Sequence, residues 1–167
     1  IRKGVQLEKF MHGAGHEQGR RAGTENVLEI VGLGKACEIA KRDMDKNMSH
    51  MRTMRDRLYK GLKDKCKEIR LNGHPEKRLP NTLSVNFLDL DANTIISEIK
   101  DDVAVSAGAA CHSGGTKISH VLKAMNTPVE LARGTLRFST GRMTTETEID
   151  NAINIISNAV AKQREKQ

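Results

Sequence analysis

The chain has 167 residues, enough for one domain with its own core or for part of a larger one. Its 28 Lys and Arg against 21 Asp and Glu give a net charge of +7, but the signs interleave along helical patterns, as in RDMDK, which reads as solvated helix faces rather than a nucleic-acid patch. Only Tyr59, Phe10, Phe87 and Phe138 are aromatic, which argues against a stacking platform for single strands, and no run of about 18 apolar residues marks a membrane-spanning helix.

In chain order, residues 12–24 (HGAGHEQGRRAGT) come first, with four glycines and four His or Arg residues in thirteen positions. This is a loop shaped around something anionic. His12 and His16, in their GxGH setting, do not make a metal signature. Gly23 and Thr24 stand immediately before a helical pattern, where free N–H groups favour an anion; Thr24 as a plain N-cap is the alternative. From Thr24-Glu25-Asn26 onward, Val27, Ile30, Val31, Leu33, Gly34 and Cys37 fall on one helical face, expected to pack. A second helix follows, with Met44, Met48, Met51, Met54, Leu58 and Leu62 at three- and four-residue steps, a core stripe rather than a metal or cofactor box.

Residues 69–71 read as a short strand and 72–75 as a turn. Leu83, Val85 and Phe87 then alternate with Ser84 and Asn86, the period of a half-buried strand. Residues 92–101 suit a helix and 103–106 a short strand. SAGAACHSGG, residues 106–115, reads as a mobile loop of small side chains, with poor order expected over 107–116. Short helices follow at 119–125 and 128–133, with Pro128 at a helix start, then a strand over 134–140. The last helix opens with a capping box, Thr145 to Glu148, and should bury Ile149, Ala152, Ile153, Ile156 and Val160. The sum is a mixed α/β arrangement, with an α+β portion of a few strands covered by helices on one face.

Cys37, Cys66 and Cys111 form no CxxC pair, which argues against a disulfide framework and a cysteine zinc site and for a reducing compartment. Cys37 and Cys66 sit in helical patterns and read as structural. Cys111 differs: its setting among small residues, beside His112, suits a thiol that attacks a substrate atom once deprotonated. Arg137 stands in TLRFS, an otherwise apolar or small strand. It is either an edge residue facing water or a clamp that grips a carboxylate with its planar fork.

Four segments in order then carry a family resemblance over essentially all of residues 1–162. HGAGHEQGRRAGTEN resembles a GGGxExGxRSGTxN stretch, RLPNTLSVNF a P-N-[IT] strand, SAGAACHS a catalytic-cysteine loop of the S-x-G-x-A-C type, and TLRFSTGRMTTETEID a substrate-binding R-[FL]-S-x-G-R-x-T-T-x-x-E-[IV]-D segment. The chain thus resembles the C-terminal portion of the pyridoxal-phosphate (PLP) cysteine desulfurase/selenocysteine lyase family, class V aminotransferase-like enzymes of fold type I. His16 and Gln18 depart from the family's glutamine and arginine.

The resemblance implies that residues 1–45 end the large PLP-binding domain and that 46–167 form the small C-terminal domain carrying the cysteine loop. It implies that Cys111 attacks the sulfur of L-cysteine bound at PLP, taking it as a persulfide and releasing L-alanine, or takes selenium from L-selenocysteine. Arg137 would hold the substrate carboxylate, and Thr24 would reach the cofactor phosphate across a homodimer interface. No metal is implied. The chain opens at Ile1, and the lysine that bears PLP is expected upstream of it, so this portion alone should be inactive. A sulfur-acceptor protein, iron–sulfur cluster supply and a cytoplasmic setting (an organelle, if a targeting segment lies upstream) follow from the same resemblance, with no membrane. The competing readings are a basic module that binds nucleic acid or protein, and a persulfide carrier without PLP chemistry.

Overall fold

Asn26, rather than Thr24, starts the first long helix: its side-chain oxygen accepts from the Glu29 amide at 3.3 Å, satisfying a donor left free at a helix start. The structure is a computed structural model. It describes residues 2–112 and 115–166, with the backbone alone for 109–112 and 115–117. The chain divides into two units, Ile1–Met44 and Asp45–Gln167.

In the first unit, α1 (His16–Gly19) is a single turn in which Glu17 and Gln18 take left-handed backbone angles, φ 51° and 58°. Helix α2 spans Val27–Arg42 and buries no residue. Val27, Leu28, Ile30, Val31 and Leu33 are each more than half exposed, and Cys37 is exposed too. The helix forms as expected. Its apolar face is left largely exposed among the described residues, and Cys37 is not the buried thiol its pattern suggested. Periodicity marks a face that needs a cover but not where the cover comes from.

The second unit opens with α3 (Met44–Lys65), followed by β1 (Ile69–Leu71), β2 (Thr82–Phe87), α4 (Ala92–Ile99), β3 (Ser106–Ala107), β4 (Ala109–His112), β5 (Gly115–Ile118), α5 (His120–Ala124), α6 (Val129–Arg133), β6 (Thr135–Ser139) and α7 (Glu146–Arg164). Strands β1, β2, β6 and β3 form one sheet in that order, every pair antiparallel. Alternation sorts its side chains. Leu83, Val85, Phe87, Leu136 and Phe138 all lie buried on one face, in a core with Met54, Leu58 and Leu62 of α3, Ile95 and Ile99 of α4, and Ile149, Ile153 and Ile156 of α7. Each such side chain, fully buried, contributes about 1.5–3 kcal/mol. The Met stripe joins this core at Met54, while Met44 at its start is half exposed.

Two devices fix α7 against α3. Thr145 and Glu148 close a reciprocal capping box, and Arg57 of α3 donates to Asp150 and Glu146 at 2.7 Å. Gly61 faces Ile153 so closely that a Cβ there would overlap its Cδ1, which explains a glycine inside a long helix.

Two expectations change. The strand expected at 103–106 is instead β3, two residues long and shifted to Ser106–Ala107. The loop expected over 106–115 carries an antiparallel hairpin of β4 and β5, with Cys111 opposite Thr116 and His112 opposite Gly115. Alanine and glycine carry no hydrophobic alternation, so backbone pairing there leaves no pattern to read. Ser113 and Gly114, on which the expected poor order partly rests, lie outside the described residues.

Candidate active site

The sheet's other face is polar, and Arg137 stands at its centre. It lies on β6, an inner strand, opposite Ser84 of β2 on one side and Ser106 of β3 on the other. The edge-strand alternative therefore fails. The Arg137 Nη2 donates to Ser106 Oγ at 3.3 Å, and the exposed guanidinium lines a cleft of about 280 Å³ together with Arg78, Asn72, Ser84 and Ser119. Leu122 and Met125 supply an apolar wall, and among the described residues no acidic side chain lines the cleft. Two cations, hydroxyls and an apolar side suit a small carboxylate whose body is weakly polar.

Composition and pattern had not singled out Arg78. Its Nη2 donates to the Thr82 carbonyl at 2.7 Å, and burial, then the charge of Arg55, hold its pKa below the ordinary arginine value. Arg55 is itself only 7% exposed. It donates to the Leu79 carbonyl at 2.8 Å and to Asp56, tying the Arg78–Leu79 segment to α3. In the sequence both look like ordinary charges of a polar stretch; only their burial distinguishes them.

Under the cleft lies a polar knot. Thr135 Oγ1 donates to the Leu131 carbonyl at 3.2 Å and accepts from Asn72 Nδ2 at 3.3 Å and Asn86 Nδ2 at 3.5 Å. Asn72 also donates to Ser84 Oγ at 3.2 Å. The knot joins the end of β1 to β2, β6 and α6. It escapes sequence reading because Ser, Thr and Asn at alternate strand positions look like a solvated face.

Cys111 sits in β4, and its side chain lies outside the described residues. Its backbone is tethered close to Arg137. The hairpin leaves the sheet at Gly108, whose amide donates to the Thr135 carbonyl at 2.7 Å, and returns at Ser119, whose amide donates to the Gly108 carbonyl at 2.9 Å. Three residues of extended chain keep the Cys111 Cα within about 11 Å of that of Gly108. The structure thus brings the Cys111 hairpin and Arg137 to one strand, β6. Cys66 is only 5% exposed, and burial pushes its thiol pKa upward, away from nucleophilic use.

Thr24 belongs to the first unit and is exposed. It follows Gly23, whose φ of 89° needs glycine, and its hydroxyl makes no hydrogen bond among the described residues. Arg21, three positions earlier, has a buried Nε without a partner. His16 Nδ1 lies 3.3 Å from Glu25 Oε1, a pairing the sequence did not suggest. The Glu25 carboxyl is held below its usual range by a backbone N–H and, after that, by His16. An orphaned arginine donor three residues before an exposed threonine fits an anionic group such as a cofactor phosphate.

Comparison with known proteins gives a consistent set. The Aminotransferase class-V family model matches residues 3–152. The chain is 45% identical over 161 residues to the cysteine desulfurase IscS of Klebsiella pneumoniae (strain 342), covering 96% of this chain and 39% of that protein. It is likewise 45% identical to the cysteine desulfurase IscS of Pasteurella multocida (strain Pm70), with the same coverage. Among solved structures, a NifS-like protein superposes with a TM-score of 0.82 at 33% identity, covering 97% of this chain and 41% of that one. A NifS-like protein from Rickettsia africae ESF-5 gives 0.79 at 26% identity, with 94% and 41% covered. The chain therefore spans about two fifths of the length of the curated relatives it matches.

Proposed function

The chain belongs to the class-V aminotransferase family, and on that footing we propose that the whole protein is a PLP-dependent cysteine desulfurase, of which these residues form the sulfur-accepting and carboxylate-binding part. One observation carries the reading. Arg137 lies on an inner strand in a cleft with no acidic side chain among the described residues, and the hairpin bearing Cys111 is fastened to that same strand.

Arg137 holds the carboxylate of L-cysteine, with Ser106 keeping the guanidinium aimed while the cleft is empty. Leu122 and Met125 exclude water from the side-chain end of the substrate. The Cys111 thiolate attacks the substrate sulfur: an S–S bond forms, the substrate C–S bond breaks, and the electron pair of that bond stays on carbon. When bound, PLP supplies the sink for that pair until a proton converts the carbon to the methyl group of L-alanine. L-cysteine and the Cys111 thiol thus become L-alanine and a Cys111 persulfide, with no oxidant required. Thr24 and Arg21 take the cofactor phosphate in this reading, Thr24 from across a homodimer interface, and the lysine that binds PLP lies in sequence beyond this chain. By itself the present chain is then inactive.

The uncovered apolar row of α2 supports an assembly with more protein than these residues. L-selenocysteine offers the same carboxylate to Arg137 and is a second donor. The persulfide passes to an acceptor protein for iron–sulfur cluster assembly, in a reducing, cytoplasmic setting. In the test, full-length protein with PLP and a dithiol should release L-alanine and sulfide in equal amounts from L-cysteine. Cys111→Ser should lose both and keep its cofactor absorption. Alanine release near the wild-type rate in that variant defeats the assignment.

A further inference from the structure

We propose that Gly108 is a positioning residue for sulfur transfer, fixing where the Cys111 hairpin leaves the sheet by a contact that only a missing Cβ permits. The inference rests on the desulfurase reading above and adds a residue outside the reacting groups.

The geometry at Gly108 is saturated on every side. Both backbone groups are used: the amide to the Thr135 carbonyl at 2.7 Å, the carbonyl to the Ser119 amide at 2.9 Å. These two bonds pin the outgoing and returning ends of the hairpin at one point. A Cβ added at Gly108 would lie 2.6 Å from both Cβ and Cγ2 of Thr135 and 2.8 Å from Leu122 Cδ1. Gly108 does not take a positive φ, so its requirement is close approach rather than backbone freedom.

Thr135 cannot give way cheaply. Its Oγ1 is held by Leu131, Asn72 and Asn86, and the residue is 1% exposed. The polar knot therefore has a purpose beyond stability. It makes Thr135 a rigid stop against which Gly108 seats, two residues along β6 from Arg137. At the rise of a strand, that sets the hairpin root about 7 Å along the strand direction from the carboxylate clamp. A methyl group at 108 has to lift the root off β6, and the displacement is carried along three residues to Cys111. A misplacement of about 1 Å is enough to cost on the order of 100-fold in a reaction that depends on alignment.

The experiment uses the full-length holoenzyme and separates binding from transfer. Gly108→Ala should lower the single-turnover rate of Cys111 persulfide formation at least tenfold. The Kd for L-cysteine, read from the cofactor's absorbance change, should move less than threefold, and the cofactor spectrum without substrate should not change. Adding Thr135→Ser to Gly108→Ala, which removes one of the crowding atoms, should recover part of the rate. A Gly108→Ala enzyme transferring sulfur at the wild-type rate overturns the proposal. If Cys111→Ser is inactive in the same assay, the desulfurase reading stands and only the positioning role falls; if Cys111→Ser is active, the reading itself falls. Hydrogen exchange on the wild-type holoenzyme decides the matter even if the variant misfolds. The Gly108 and Ser119 amides should be protected to the level of β6, and rapid exchange of both refutes the seat.

Discussion

Arg137 is where the two readings of one residue separate. An exposed arginine facing only water changes little when replaced, typically within about 0.5 kcal/mol. As a clamp in a cleft with no acidic neighbour, it should matter far more. Arg137→Ala in the full-length enzyme is expected to reduce kcat/KM for L-cysteine by the equivalent of about 2–4 kcal/mol, since a carboxylate is then left unpaired in a partly desolvated site. Arg137→Lys keeps the charge, loses the two-point fork and should fall between. Steady-state kinetics on both variants checks this, and an alanine variant close to wild type removes the clamp. Cys111 and Arg137 were both legible in the sequence because each violates its local pattern: a thiol among glycines and alanines, a charge inside an apolar strand. Arg55, Arg78 and Glu25 violate nothing locally, and only the fold reveals which of them are buried or paired.

Among elements, α7 was the most readable, because its cap and its apolar period agree. Glu148 and Asp150 both carry carboxyls held below their usual range, Glu148 by the Thr145 amide and hydroxyl and Asp150 by the hydrogen bond from Arg57. Depressed carboxylates stabilise the fold fully above their unfolded values, near about 4, and lose that contribution as pH falls through the folded ones. The Tm gap between wild type and Arg57→Met should therefore be present at about pH 6 and shrink as pH falls below the ordinary carboxylate range of about 4. A gap that is constant over that range contradicts the pairing. Gly61 makes a separate prediction: alanine, normally the better helix former, should here destabilise by about 1–3 kcal/mol, because the new Cβ runs into Ile153. Chemical denaturation measures it, and a stabilised variant would show that α3 and α7 are packed less closely. The least readable element was the β4–β5 hairpin, where small side chains give pairing without pattern.

At the scale of the molecule, the structure divides after Met44, and the sequence could not supply the surroundings of α2. Its amphipathic period reads as a packed helix, yet none of its residues is buried. Burial stabilises a helix more than its own propensity does. In the 167-residue chain by itself, α2 amides should then exchange hydrogen much faster than those of β2, β6 and α7, whose side chains form the core. Equal protection of α2 would mean that its apolar face is covered after all.

If Cys111 receives the sulfur, that atom can be located directly. Full-length holoenzyme is given L-cysteine carrying labelled sulfur, thiols are blocked without reduction, and the cysteine peptides are separated by mass. One labelled sulfur is expected on the peptide containing Cys111, none on those of Cys37 or Cys66, and none anywhere in Cys111→Ser. Label on Cys37, or a Cys111→Ser enzyme that still holds labelled persulfide, would contradict it.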